Sequence, residues 1–227
     1  MYKFLTLKQK SAELTQHVNY DSAGTATYDE NFLFKIGTWL NLAQKRLAER
    51  YDFWVELQGI HNFNTANTTE SYDMPANFDK PFKVIDLDNE LELTPITEEE
   101  YTEGHISNIA NTDKAQPTYY RIYGVSARLV QMKLGLIPDD AYSMRVLYKK
   151  VPADMSGDDD YAFMDADRYL IFDCCFFALL WEREKEKAGI AQQMAEGAYK
   201  DLMNNNMRKL GTSYQRKMES KFLGAHR

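Results

Sequence analysis

At 227 residues, 44% apolar and 27% charged, the chain is long enough to bury a core, and its composition excludes wholesale disorder. A formal charge of −7 argues against a dedicated DNA-binding domain, which is basic on at least one face, but is compatible with a surface that passes DNA without holding it. The longest apolar run, Leu170 to Trp181, contains Asp173 and falls short of the roughly 20 residues a membrane span needs; the start, MYKFLTLKQKSAELTQ, lacks an apolar signal core. The sequence therefore reads as soluble.

Residues 1–27 are mixed polar and end in DSAGTAT, which predicts an arm or loosely packed start. Residues 28–58 read as one long helix. Leu33, Ile36, Leu40, Ala43, Leu47, Tyr51 and Trp54 follow three-four spacing; Thr27 and Glu30 offer a capping box, and Gly59 a stop. Residues 60–151 change character, holding five of the six prolines and many Asn, Thr and Asp. Strands are predicted at 82–87, 118–125, 127–134 and 143–151. Short connections between the last three suggest an antiparallel meander. The polar segments 62–71 and 97–112 are either loops or a strand plus a short helix, with Thr97 an N-cap ahead of Glu98, Glu99 and Glu100.

MSGDDD, Met155 to Asp160, reads as a linker. Helix resumes over 165–203, with Gly189 a break and Asn204, Asn205 and Asn206 another. Residues 207–227 form a locally basic tail. The expected fold class is α+β: a long N-terminal helix and C-terminal helices packed together, with a small antiparallel β region inserted between them.

No catalytic set assembles in the sequence. His17, His61, His105 and His226 lie far apart with no metal-ligand spacing, and neither GxSxG nor GxxxxGK[ST] occurs. Asp158, Asp159, Asp160, Asp165 and Asp167 lack the alternating order of a calcium loop; Asp165 and Asp167 better suit the N-terminus of the following helix. Asp173 reads as a water-facing residue or a partner of Arg168 or Arg183. The adjacent Cys174 and Cys175 read as buried small residues, since neighbouring cysteines bridge only with strain. The expectation is a chain with no catalytic residues, no metal and no cofactor. The 15 tyrosines fit either an interface-rich protein or a Tyr-rich core.

Within the tail, Arg208, Arg216, Lys217 and Lys221 interleave with Tyr214, Met218, Phe222 and Leu223. Such a mixture could touch DNA phosphates or remain a solvated terminus; apolar anchors among the charges favour docking on a protein.

Three stretches carry a family likeness: LNLAQKRLAERYDFW (40–54), SYDMPANFDKPFKV (71–84), and the succession PTYYRIYG, LIPDDAYSMRVLYKKVP and an alanine-rich helical end. Over residues 28–205 the chain resembles the head-to-tail adaptor (connector) proteins of tailed bacteriophages. The resemblance implies a virion structural protein, made in the host cytoplasm and placed at the head-tail junction. It implies a ring of subunits, usually twelve, that binds the portal on one side and tail or nozzle proteins on the other. DNA passes through the channel during genome ejection, and no membrane is involved. It also implies that the C-terminal segment, here 207–227, docks on the portal. The first 27 residues stand outside the likeness, as an arm that could clasp a neighbour. Other readings are a neck, tail-completion or minor capsid protein and, in another class, a phage nuclease or cell-wall hydrolase using the acidic cluster.

Overall fold

In the computed structural model, which describes residues 1–20, 26–97, 99, 100, 114–126 and 129–210, the chain divides into two units. One unit joins Met1–Glu56 to Pro152–Arg227; the other is Leu57–Val151.

The first unit is mainly helical. Residues 1–27, the expected arm, carry α1 (Phe4–Leu14) and β1 (Val18–Tyr20), which pairs antiparallel with β2 (Ala26–Tyr28). Phe4 and Leu7 of α1 are buried, and α1 ends where Gln16 takes a positive φ of 64°. Next comes α2 (Glu30–Glu49), whose N-cap is Asp29 rather than Thr27. The Asp29 carboxylate accepts from the amides of Asn31 at 2.8 Å and Phe32 at 3.3 Å. Phe32, Ile36, Leu40, Ala43 and Leu47 form its buried face. Gly37 lets α1 come close, because a Cβ there would lie 3.0 Å from Phe4 Cζ.

Two further helices complete this unit, α3 (Asp167–Trp181) and α4 (Lys185–Leu210). α3 is the central helix: Tyr169, Leu170, Ile171, Asp173, Cys174, Cys175, Ala178 and Leu179 are all buried. Both cysteines are free thiols, and burial pushes that of Cys175 up to about 12. The turn between α3 and α4 is made at Arg183, with φ 67°. α4 lays Ala188, Ala191, Ala195 and Ala198 inward, and runs unbroken through Gly189 and Asn204–Asn206, where breaks were expected.

The second unit is a two-layer sandwich. One sheet has the order β3–β10–β5–β6, the other β4–β9–β8–β7. The first comprises β3 (Gln58–Asn64), β5 (Phe78–Asp86), β6 (Leu91–Glu92) and β10 (Ser143–Lys150); the second comprises β4 (Ser71–Asp73), β7 (Thr94–Pro95), β8 (Tyr119–Ser126) and β9 (Leu129–Gly135). Met144, Val146, Tyr148, Val84 and Phe78 from one layer meet Met132, Leu134 and Tyr120 from the other in a single core. A Cβ on Gly59 would sit 2.6 Å from the Tyr148 ring, so the glycine makes room for a core side chain.

The expected architecture is therefore corrected. The β component is two four-stranded sheets, not a small inserted region, and the long N-terminal helix is absent, α2 having 20 residues. The buried pattern does continue to Trp54, but the backbone leaves the helix first. Helix continuation would have Tyr51 N–H bond the Leu47 carbonyl; the fully buried Trp54 donates its Nε1–H there instead, at 3.0 Å. The meander is also incomplete. β8 and β9 form a hairpin, but β10 crosses to the other sheet and pairs with β3 and β5.

Candidate interaction surfaces

The carboxylates that stood out in the sequence are used within the fold. Asp160 closes a turn by accepting from the Ser156 and Gly157 amides, each at 2.7 Å, which holds its carboxyl below the usual range. Asp158 pairs with Lys8 and Asp159 with Lys3, each at 2.7 Å. Asp167 lies in the first turn of α3, where negative charge suits the helix N-terminus, but the N-cap itself is Ala166; Asp167 accepts the Tyr2 amide at 2.8 Å and faces the Met1 amino group, as does Asp165. Thr97 does cap. Its hydroxyl takes the Glu100 amide at 3.2 Å and the Glu100 carboxylate returns to the Thr97 amide at 2.8 Å. Among the described residues no three His, Cys, Asp or Glu side chains converge as a metal site requires. His17 meets Glu182 and the ring of Phe32, and His61 stacks on Phe63; His105 and His226 lie outside the described residues.

Asp173 faces neither water nor the expected arginines. It is 2% exposed, and Arg46 of α2 donates to both its oxygens, at 3.0 and 3.3 Å. Burial pushes its carboxyl up to about 6, against the pull of Arg46 and Arg50. Arg50 binds Glu196 of α4 through two bonds of 2.8 and 2.7 Å and lies 3.7 Å from the centroid of the Tyr199 ring. These groups tie α2 to α3 and α4, a structural role.

The tail was the sequence's candidate site. Of the eight residues singled out there Arg208 alone is described, exposed near the end of α4 on a cleft of about 620 Å³ lined also by Tyr2, Asp165, Asp167 and Asp201. Tyr214, Arg216, Lys217, Met218, Lys221, Phe222 and Leu223 lie outside the described residues.

Sequence reading missed two exposed apolar features of the helical unit. Phe34 is 77% exposed and, with Leu42, flanks a groove of about 550 Å³ along α2. Trp181, 55% exposed, stands beside Trp39 with Lys35 Nζ 4.1 Å over its ring. Both stand among apolar residues of their helices and so read as core, and isolated exposed apolar residues are common. These contours suit contact with other chains better than the enclosure of a small substrate.

A family model described as "SU10 adaptor protein" matches residues 2–220. The chain belongs to the SU10 adaptor protein family. The match spans nearly the whole chain of this adaptor, including residues 2–27, which the sequence likeness left out, and so agrees with the resemblance to phage head-to-tail adaptors. Among curated proteins, none matches the adaptor at a significant level. No described helix of the adaptor is long and apolar enough to cross a membrane.

Proposed function

We propose that the chain is a subunit of the head-to-tail adaptor ring, dodecameric by the family resemblance, set between portal and tail around the DNA channel. The observation that carries this reading is the family match over residues 2–220. At the coarser level, family membership makes the chain a phage structural adaptor protein, a virion component that contacts other head or tail proteins. The proposed role is one of binding rather than catalysis, and it accords with carboxylates that are engaged in turns and ion pairs.

Arg208 and the tail residues Tyr214, Arg216, Lys217, Met218, Lys221, Phe222 and Leu223 are proposed to dock on the portal. Cryo-electron microscopy of intact particles tests the placement: density for the chain is expected at the head-tail junction in a closed ring, and density elsewhere on the particle refutes it. Deleting residues 211–227 is expected to leave the melting temperature of the purified chain unchanged and to remove it from particles. Normal incorporation of the truncated chain refutes the docking role of the tail.

A further inference from the structure

The sheet β3–β10–β5–β6 has two open edges among the described residues, and they differ in kind. β3 is seven residues long, pairs with β10 without a register shift, and contains neither proline nor a charged residue. Exposed sheet edges are ordinarily protected by charge, proline, a bulge or brevity, and β3 has none of these. Ile60 on its outer face is 64% exposed. On its inner face His61 and Phe63 are only half-buried, and Phe63 meets the ring of Tyr72 on β4 at 4.8 Å. Beside β3, Arg145 of β10 donates Nε–H to Asn62 Oδ1 at 3.0 Å and has no carboxylate partner among the described residues. This edge is long, partly apolar and cationic.

The opposite edge is acidic. β6 follows the turn Leu87–Glu90, so Asp88, Glu90 and Glu92 lie within six residues beside the exposed Leu87. Glu92 is held by Lys83 at 2.7 Å, whereas Glu90 is exposed and has no cation partner among the described residues.

Topology makes the two edges compatible. Each strand of this sheet runs antiparallel to its neighbour, so β6, the fourth, runs opposite to β3, the first. A second copy placed alongside with the same face forward presents β6 antiparallel to β3. We propose that β3 of one copy pairs with the β6 edge and its preceding turn on the next copy, so that the sheet continues from subunit to subunit and the neighbour's Glu90 answers Arg145. Backbone bonds give the contact its strength and the side chains its register. The contact joins two different edges, so it repeats from copy to copy rather than ending at a pair, and gives a ring where the rotation between copies closes. This inference rests on the ring reading above.

Particles assembled with Arg145→Glu, Glu90→Arg and the double variant test it. Each single change is expected to lower the amount of the chain per particle about tenfold, with the purified chain melting as wild type, and the double change to restore it. Wild-type incorporation of Arg145→Glu, or a double variant no better than either single, overturns the proposal. Oxidised particles carrying Asn62→Cys and Glu92→Cys, two positions on the outer face of the sheet, are expected to yield a ladder of linked chains on a non-reducing gel. Full incorporation with monomer alone overturns the edge contact and leaves the ring reading standing; a map showing the chain without rotational symmetry overturns the ring itself.

Discussion

Replacing Asp173 with asparagine isolates the energetic cost of one buried charge. Burial pushes the carboxyl up to about 6 in the folded protein, from an ordinary value near 3.8. The folded state therefore holds a proton that the unfolded chain has already released between those values. Stability supplied by this group is full below about pH 4 and is lost as pH rises through 6, the opposite of an ordinary paired carboxylate. The difference of about two units corresponds to about 3 kcal/mol, of which about 2 kcal/mol falls between pH 4.5 and 7.5. Asparagine keeps the shape and an oxygen for Arg46 but does not titrate. Urea unfolding of both proteins, followed by circular dichroism across that range, is the assay. The stability of Asp173→Asn relative to wild type is expected to improve by about 2 kcal/mol from pH 4.5 to 7.5, a comparison in which the other titrating groups cancel. Parallel curves refute the reasoning, because they show that Arg46 and Arg50 fully compensate for burial.

Gly59→Ala forces a methyl against the Tyr148 ring, which Asn77 holds through a 3.1 Å hydrogen bond; a loss of about 1–3 kcal/mol is expected in urea unfolding. Asn206→Ala removes two 3.2 Å bonds, donation to the Phe53 carbonyl and acceptance from the Val55 amide, and should cost about 1–3 kcal/mol in the same assay. Asp29→Ala unties the start of α2 and should lower stability by about 1 kcal/mol, read by thermal melting.

Helical faces were the most legible part of the sequence. Leu40, Ala43 and Leu47 at three-four spacing do form the buried side of α2. The same signal misled at Tyr51 and Trp54, because burial outlasted the helical backbone and periodicity reports burial alone. α1 was missed because Phe4 and Leu7 are its only large buried apolar residues, too few to set a period. β3 was missed because Gln58–Asn64 carries one β-branched residue, and its pairing with β10 depends on a segment some eighty positions away. The expected break at Asn204–Asn206 misread a helical asparagine that bonds outward to Phe53 and Val55.

The proposed tail site rests on composition alone, and the side-chain geometry of the helical unit was not legible in the sequence. Interleaved cations and aromatics marked the tail, but nothing local distinguishes Asp173, whose arginine lies 127 positions earlier, from a solvated helix residue. Phe34 and Trp181 gave no signal either, since a hydrophobic residue inside a helical stripe is ordinarily read as core.

Gln58, at the start of β3, and Lys149, next to the end of β10, are direct cross-strand partners. The sandwich therefore enters and leaves the chain at one point, where opposed residues of an antiparallel pair lie about 5 Å apart. It is a cassette in the gene as well as in the protein: residues 57–151 can lengthen, shrink or be exchanged without altering the gap the helical unit must span. Genomes carrying such a chain could retune one surface by recombining a single contiguous stretch of DNA, while the helices encoded on either side stay as they are.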